Sequence, residues 1–326
     1  MIPTRDSGAF IGVFLKEYRR RGIDPLYIVD ARTTDNTVEI LRSNNAEYYT
    51  FNPDGDYVES GMIGYGSMKC DAKWVLRMDD DEFPSSRLMD WATNEGTKSL
   101  NQFWFIPRKE LFFHEGKIFS NESPGRFSHP LNPWILNPQA RLHHTERVEY
   151  LHQVHTTGFA QQDFYGFAPP DAYFIHCNAL LRSPLSRLMK IRHYEAIKPL
   201  STWAATDEYL PELFSLEDLN ATAFAGEEFR LLLADLPIDQ QREIPDLSED
   251  EKIIFKKESA NHFARNLTFR VHPQRFITSA DDFSWARFIP RKLWRPLAEF
   301  ICSIGGGRLR HWGERFYRYS EIYGGP

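Results

Sequence analysis

The sequence predicts an α/β fold with a mostly parallel central sheet flanked by helices. Short apolar segments at residues 26–29, 46–51 and 74–78 alternate with segments of helical periodicity. Strand–helix–strand repeats at this spacing form right-handed βαβ units on a parallel sheet. In addition, acidic residues directly follow two of the predicted strands. The carboxyl ends of parallel strands share the edge where open α/β sheets bind ligands.

The first predicted elements are recognisable from their end signals. Residues 1–4 have the character of a strand end, and Ser7 is a candidate N-cap for the next helix. Apolar residues then recur at helical spacing until Gly22, a residue suited to a helix C-terminus. Further helices are predicted after residue 37, from Ser85, and over residues 182–196.

The later part of the chain predicts fewer regular elements. Residues 103–108 form a predicted strand, and the proline-containing segment 114–140 is predicted to be a long functional loop. The pattern therefore divides the chain into an α/β domain over residues 1–200 and a C-terminal helical extension over residues 201–326. That extension is acidic at first and basic and aromatic later.

Composition narrows the functional class. The 326 residues carry a net charge of −6, and the excess of basic residues is confined to the C-terminal part, so nucleic-acid binding is not indicated. The three cysteines are widely spaced, which argues against a zinc site or a disulfide framework. No leader or membrane-spanning run is recognisable. These features predict a cytoplasmic protein.

The C-terminal segment 288–323 mixes arginines with aromatic residues. Such a segment suits the anionic inner face of a membrane, where lipid-linked acceptors lie. The alternative is that it packs on residues 207–251, which contain 14 acidic residues against Arg230 and Arg242.

The most informative stretch is residues 74–83, in which an apolar strand runs into Asp79, Asp80, Asp81 and Glu82. Consecutive carboxylates repel one another unless a cation shares them, and hard divalent cations prefer oxygen ligands. The simpler interpretation is an acidic turn that caps the next helix. Asp30, at the end of an earlier predicted strand, is expected at the same sheet edge.

Several motifs together resemble the family 2 glycosyltransferases with the GT-A (Rossmann-like) fold. Residues 30–37 resemble the family's Asp-Asp-Gly-Ser-Thr-Asp-Gly-Thr turn, and residues 79–83 resemble its Asp-x-Asp-Glu-Phe metal motif. The pairs at 141–142, 154–155 and 175–176, with Arg182 and Lys190, are similar to the lipopolysaccharide-core branch. Ala31, Arg32, Asn36 and Thr156 depart from the family pattern.

The resemblance implies transfer of a sugar from a nucleotide-sugar donor, expected to be UDP-linked, to an acceptor hydroxyl of a saccharide or lipid-linked saccharide. Cell-surface polysaccharide or lipopolysaccharide synthesis is the implied setting. Mg²⁺ or Mn²⁺ neutralises the departing diphosphate, and inversion requires a base that takes the acceptor proton.

The resemblance also implies roles for individual acids. Asp81 binds the metal and Asp79 the ribose or the metal, whereas Asp80 faces away because strand neighbours alternate. Glu82 orients the metal shell or the acceptor, with a structural salt bridge as the alternative. Asp30 accepts a hydrogen bond from the nucleobase unless it caps a helix.

The remaining candidates surround this centre. Thr4 and Asp6 line the base pocket, with helix capping as the alternative for Asp6. His155 is the candidate base, and Glu146, Glu149 and Asp163 are its rivals. His176 completes the metal or diphosphate shell, and Arg182 and Lys190 hold the diphosphate. A structural histidine and a solvated helix face are the respective alternatives.

Three other functions remain open at this point. A nucleotidyltransferase also uses acidic strand ends and Mg²⁺, but residues 3–8 lack a glycine-rich phosphate loop. A metal-dependent phosphohydrolase leaves the turn at Asp30 unexplained. A catalytically silent nucleotide-sugar-binding protein is compatible with Thr156 in place of the branch's Glu.

Overall fold

A computed structural model describes most of the N-terminal two thirds of the chain and part of the C-terminal third. The described residues are 1–52, 58–121, 128–129, 132–136, 139–148, 150, 165–197, 210–241 and 243–255. Within them, sheets are flanked by helices, and the predicted α/β class is confirmed.

Strands and helices alternate through the N-terminal part, and its first three strands form a parallel sheet in the order β1-β2-β3. The Met1 backbone donates to the carbonyl of Leu76 and accepts from the N–H of Met78, as between parallel neighbours, so β4 lies beside β1. The elements are β1 (Ile2–Thr4), α1 (Ile11–Arg20), β2 (Tyr27–Asp30), α2 (Thr37–Ser43), β3 (Tyr48–Phe51), α3 (Val58–Lys69) and β4 (Trp74–Leu76).

Helix α1 packs against the C-terminal end of the acidic stretch, at Glu82 and Phe83. Its buried residues include Phe14 and Tyr18, and the Tyr18 ring stacks on that of Phe83 with centroids 4.5 Å apart. The Tyr18 hydroxyl also donates to the carbonyl of Glu82. The helix ends as predicted before Gly22, whose φ of +73° is a conformation that glycine adopts without strain.

The predicted N-cap role of Ser7 is wrong. Helix α1 begins at Ile11 after Phe10, and no side chain caps it. The Ser7 hydroxyl is instead directed at Asp80, so it is not available to the N–H groups of the first turn.

The remaining strands form two mixed sheets and a small hairpin. A four-stranded sheet has the order β12-β6-β11-β4, and a five-stranded sheet has the order β14-β8-β7-β13-β5. Among the described residues, β9 and β10 pair with each other. Their bounds are β5 (Glu82–Pro84), β6 (Phe103–Ile106), β7 (Arg108–His114), β8 (Lys117–Asn121), β9 (Ser128–His129), β10 (Asn132–Leu136), β11 (Gln139–His144), β12 (Tyr165–Phe167), β13 (Phe174–His176) and β14 (Ala221–Ala223).

The described residues of segment 114–140 do not form a long loop. They contain β8, β9, β10 and the start of β11, and β7 and β8 form an antiparallel hairpin turned at Glu115 and Gly116. Gly116 has φ +79°, a value that suits the tight turn. Of the prolines that suggested a loop, Pro133 lies within β10.

Helices cover the sheets, and α4 shows the expected capping. The Ser85 hydroxyl accepts from the N–H of Leu88, so the predicted helix start at Ser85 is confirmed. The later helices are α4 (Ser86–Asn94), α5 (Asn178–Leu181), α6 (Pro184–Ile197) and α7 (Arg230–Asp235), with a further helical stretch, α8, over 249–255.

The described part of the C-terminal extension is attached closely to the α/β domain. Its strand β14 adds to β8, and its short helix α7 contacts α1. The fully buried Arg187 of α6 makes two hydrogen bonds to Glu212, of 2.9 and 2.6 Å. The predicted helical character is therefore mixed with a strand. In the described residues, no helix combines the length and apolar character needed to cross a bilayer.

Candidate nucleotide and metal site

Ends of strands from two sheets converge on the turn that contains Asp79, Asp80 and Asp81. Thr4 ends β1, and its hydroxyl donates to Oδ2 of Asp80 at 2.8 Å. His176 ends β13, and its Nε2 lies 3.2 Å from Oδ1 of Asp81. The turn therefore joins the edge of the parallel sheet to the five-stranded sheet.

Asp80 does not face away from this edge, which corrects the prediction. Its Oδ2 accepts hydrogen bonds from the hydroxyls of Thr4 and Ser7. The alternation rule does not apply here because β4 ends at Leu76 and residues 77–81 are not strand.

The carboxylates of Asp80 and Asp81 are close enough to perturb each other. Burial and then the charge of Asp81 raise the pKa of Asp80 to about 6, although Arg182, Ser7 and Thr4 act in the opposite direction. Burial alone would raise the pKa of Asp81, but His176 and more distant cations hold it below its ordinary value. The pair is therefore a concentration of negative charge that a cation would relieve.

His176 lies between two carboxylates. Its Nε2 faces Asp81 and its Nδ1 bonds Oε2 of Glu110. Burial opposes protonation, yet Glu110 and Asp81 raise the pKa of His176 well above its ordinary value. Both ring nitrogens of His176 are thus engaged by carboxylates in this structure, and its role as a metal ligand stays a prediction. In this arrangement His176 fixes the position of Asp81.

Asp79 is neutralised within the protein. The guanidinium of Arg141 bonds both of its oxygens, at 3.0 Å to Oδ1 and more closely to Oδ2, and Arg77 lies 3.1 Å from Oδ1. Burial would raise the pKa of Asp79, but Arg141 and Arg77 hold it well below its ordinary value. With arginine on both oxygens, Asp79 is a poorer metal ligand than the sequence motif suggests.

Glu82 has a structural role, the alternative to a ligand-binding one. Its side chain is fully buried, and its Oε1 lies 2.7 Å from Arg141 and 3.2 Å from Arg108. Its Oε2 accepts from the N–H of Asp79 at 2.9 Å, which closes the turn. Glu82 thus holds the turn in shape through these bonds.

Arg108 and Glu110 were not predicted from the sequence. Both are buried on β7, and Nε of Arg108 donates to Oε1 of Glu110 at 2.6 Å. Arg108 also reaches Glu82, so the two residues connect Glu82 to His176. Arg108, Lys109 and Glu110 are consecutive charged residues at the start of β7. The available signal was that Arg108 and Glu110, at i and i+2, share one face of that strand.

Arg182 approaches the acid pair without bonding to it. Its guanidinium lies over the ring of Phe10, 5.4 Å from the centroid, and its buried Nε has no hydrogen-bond partner among the described residues. It lowers the pKa values of both Asp80 and Asp81, so it lies near them. Lys190, on α6, contributes to the lowering of the pKa of Asp81. Both predicted diphosphate-binding residues therefore place positive charge near the acidic turn.

Asp30 ends β2 as predicted but is covered. Its side chain is 1% exposed, and it accepts from the backbone N–H of Arg32 at 2.8 Å and from the Arg32 guanidinium. Asp6, with φ +50°, accepts from the N–H of Thr34 at 2.7 Å. Asp6 thus joins the loop after β1 to the loop after β2 and does not cap α1.

The catalytic base is not located. His155, Glu149 and Asp163 lie outside the described residues. Of the candidates, only Glu146 is described, in the turn after β11, where its N–H donates to Nδ1 of His144 at 3.2 Å. The basic and aromatic segment 288–323 also lies outside the described part of the chain.

The carboxylates of the acidic turn suit a cation that is bound by the protein and by the phosphate oxygens of a ligand at the same time. Among the described residues, no group of three or more His, Cys, Asp or Glu side chains could hold a metal. Mg²⁺, however, is usually bound by one or two carboxylates together with phosphate oxygens and water. Asp80 and Asp81 supply such a pair, because all the bonds that described residues make to their carboxylates use one oxygen of each.

Comparisons with known proteins give structural likeness only. No protein-family model and no curated protein matches the sequence. The structure of S. aureus TarS 1–349 is similar over 99% of this chain and 90% of its own, with 12% identity and a TM-score of 0.42. A TarS complex with UDP-GlcNAc gives 13% identity over 98% and 89%, with a TM-score of 0.42.

A mannosyltransferase from Pyrobaculum calidifontis, PcManGT, in complex with GDP-Man and Mn²⁺, is similar over 100% of this chain and 86% of its own. Its identity is 10% and its TM-score 0.40. Values in this range support no inference about activity, and the α/β assignment rests on the strand order and the flanking helices.

Proposed function

We propose that the chain is a metal-dependent glycosyltransferase that moves a hexosyl or related sugar from a nucleotide-sugar donor to an acceptor hydroxyl, with inversion. The observation that carries this proposal is the acid pair Asp80–Asp81 in the turn after β4, held by Thr4 at the end of β1, with Arg182 nearby but not bonded to it. The motif resemblance of residues 30–37 and 79–83 supports the same reaction.

The difficult step of this reaction is departure of a diphosphate as the anomeric C–O bond breaks. A Mg²⁺ or Mn²⁺ ion bound at Asp80 and Asp81 would supply the positive charge that stabilises the departing phosphate oxygens. Arg182 is placed to contribute a second positive charge from the protein itself, with Lys190 as an additional cation. The unbonded Nε of Arg182 is a donor that a phosphate oxygen would satisfy.

Other residues hold these groups in position. Thr4 and Ser7 orient Asp80, and His176 orients Asp81. Asp79 and Glu82 are fixed by Arg141, so the turn keeps its shape when ligands leave. Such preorganisation matters because charge stabilisation is most effective when the groups need not rearrange. His155 stays the predicted base for the acceptor proton.

Polysaccharide or lipopolysaccharide synthesis is the proposed setting, with a saccharide or lipid-linked saccharide as acceptor. The basic and aromatic segment 288–323 is the proposed point of contact with a membrane surface, at its cytoplasmic face. A protein that binds the donor without turning it over is the competing proposal, since Thr156 stands at the position of the branch's Glu.

Turnover of a panel of nucleotide sugars with Mn²⁺ tests the proposal. The protein is incubated with each donor, with water or a cell-envelope extract as acceptor, and released nucleoside diphosphate and free or transferred sugar are measured. We expect nucleoside diphosphate release that disappears in Asp81→Asn. Donor binding without release would favour the silent binder. Two parallel assays test the other functions: a nucleotidyltransferase would release pyrophosphate from a nucleoside triphosphate and a sugar phosphate, and a phosphohydrolase would release inorganic phosphate from phosphate esters.

A further inference from the structure

Arg21 joins the C-terminal extension to the strand that follows the acidic turn. It comes directly after α1, and its side chain is 11% exposed. Its Nη2 donates to the backbone carbonyl of Glu228, and its Nη1 donates to the carbonyl of Pro84 at 3.2 Å. Because Pro84 ends β5 and Glu228 belongs to the extension, one guanidinium binds the backbone of both.

The same guanidinium contacts two buried aromatic rings. Its Cζ lies 4.7 Å from the centroid of the Phe83 ring and 5.3 Å from that of the Phe229 ring. The two rings meet edge to face, with centroids 6.3 Å apart. A cation over an aromatic face is attracted by the ring, and the attraction is stronger where water is excluded. Arg21 thus helps to hold Phe83 of β5 against Phe229 of the extension.

Two carboxylates complete this junction. The buried Glu17 accepts from Nε of Arg21 at 3.2 Å, which orients the guanidinium from within α1. Oε2 of Glu228 accepts from the N–H of Ser86 at 2.8 Å and lies 3.5 Å from Nη1 of Arg21. The extension is therefore attached to residues 83–86, which directly follow the four consecutive acids.

The backbone at this junction leads directly to Asp81. Phe83 is two residues after Asp81, and β5 pairs with β13 so that Glu82 lies opposite His176. Nε2 of His176 lies 3.2 Å from Oδ1 of Asp81, and the N–H of Cys177 donates to the Asp81 carbonyl at 2.8 Å. A displacement of β5 would therefore move Asp81 relative to the partners that hold its side chain and its backbone.

We propose that Arg21 is a positioning residue for the acid pair: by binding the extension to β5, it keeps Asp81 where a cation can be shared with the donor diphosphate. This inference rests on the proposed function and adds to it a role for the C-terminal extension. The bonds that Arg21 makes within the described part of the chain do not include Asp80 or Asp81, so its effect passes through the backbone of β5. Groups that orient metal ligands in this way influence metal affinity strongly.

Hydrogen exchange of the full chain without ligand tests the first step, the control of the turn. We expect Arg21→Met to speed exchange over residues 79–86 and at Cys177 by about tenfold, the effect of losing the hydrogen bonds of one charged group. Lys16→Met is the matched control. Lys16 is 74% exposed on the same helix, and it pairs with Asp235 of the extension at 2.7 Å without contacting β5. It should leave exchange of the turn unchanged.

Calorimetric titration of UDP with Mn²⁺ or with a chelator tests the second step, the control of cation binding. In Arg21→Met the dissociation constant in Mn²⁺ should rise by about tenfold, the lower end of the effect of removing a group that orients a metal ligand. The dissociation constant with chelator should stay the same, which general loss of structure would not produce. Arg21→Lys, which keeps a cation near the rings, should recover part of the Mn²⁺-dependent affinity, and Lys16→Met should keep all of it.

Phe229→Leu is measured beside these variants because it removes a ring from the extension and leaves Arg21 in place. It should change exchange and affinity in the same direction, and it decides the question if Arg21→Met does not fold. Exchange of the turn no faster than in Lys16→Met would overturn the inference. Faster exchange with unchanged affinity in Mn²⁺ would also overturn it, because Arg21 would then serve packing alone. Both results leave the proposed function standing, whereas absence of Mn²⁺-dependent UDP binding by the unmodified protein would overturn the proposed function and this inference together.

Discussion

Arg141 and Glu82 form a buried ion pair, with Nη2 of Arg141 2.7 Å from Oε1 of Glu82. The same guanidinium also bonds Asp79, and with Arg77 at Asp79 and Arg108 at Glu82 it balances the charge of two of the four consecutive acids. The two remaining acids, Asp80 and Asp81, are therefore the ones available to a cation.

Replacing Arg141 with Met should destabilise the protein strongly at pH 7. The change leaves Glu82 buried without one of its two arginines and Asp79 without its two-fold partner. Breaking a buried ion pair by removing one side costs about 3–5 kcal/mol of unfolding free energy. Urea unfolding monitored by circular dichroism measures the loss, and Arg87→Met, an exposed arginine on α4, is the control. A loss no larger than that of the control would contradict the structural role.

The destabilisation by Arg141→Met should shrink as the pH falls. In the unmodified protein the depressed pKa of Asp79 contributes stability above the unfolded value of 3.8, and this contribution is lost as the pH falls through the folded pKa. In the variant, the uncompensated acids gain stability by protonation instead. The difference in unfolding free energy should therefore be largest above about pH 5 and smaller near about pH 3.5. An equal difference at both values would argue against this charge pairing.

Ser7→Ala should weaken cation-dependent nucleotide binding without abolishing it. The Ser7 hydroxyl donates to Asp80, and its loss leaves Thr4 as the hydroxyl that fixes this carboxylate. A single hydrogen bond of about 0.5–1.5 kcal/mol corresponds to a roughly two- to tenfold weaker UDP affinity with Mn²⁺. Isothermal titration checks this, with the exposed Ser43→Ala as control. Unchanged affinity in Ser7→Ala would remove Ser7 from the site.

Arg187→Met should loosen the attachment of the C-terminal extension. Arg187 is fully buried, donates to Glu212 twice and donates through Nε to the carbonyl of Arg182 at 2.9 Å. We expect a loss of about 3–5 kcal/mol in unfolding free energy. Hydrogen exchange should show the largest gain over residues 210–214. Uniform exchange along the chain, with full stability, would contradict this attachment.

The parallel strands could be predicted because each is a short apolar run between clear turn signals. Residues 26–29 and 74–76 are examples, and both are strands in the structure. The strands between residues 117 and 136 were missed because prolines, asparagines and glycine interrupt them. Their pairing depends on partner strands, which local sequence does not encode.

The site could be predicted only in part. The position of Asp30 and of the acidic turn could be read from the ends of strands, but the partner of each carboxylate could not. Arg141 and His176 come from distant strands, and only the folded chain shows which acids they pair with. Arg32 was recognised as a departure from the family motif, but its cover over Asp30 depends on a loop conformation that composition does not determine.

The most direct test is the Mn²⁺-dependent affinity for UDP, measured by calorimetry with and without a chelator. The unmodified protein and Asp90→Asn, an exposed acid on α4, should bind UDP in Mn²⁺ and lose at least about tenfold in affinity with chelator, since a shared cation joins protein and diphosphate. Asp81→Asn should bind weakly in both conditions. Equal, metal-independent UDP affinity in all three proteins would contradict a cation site at Asp80 and Asp81.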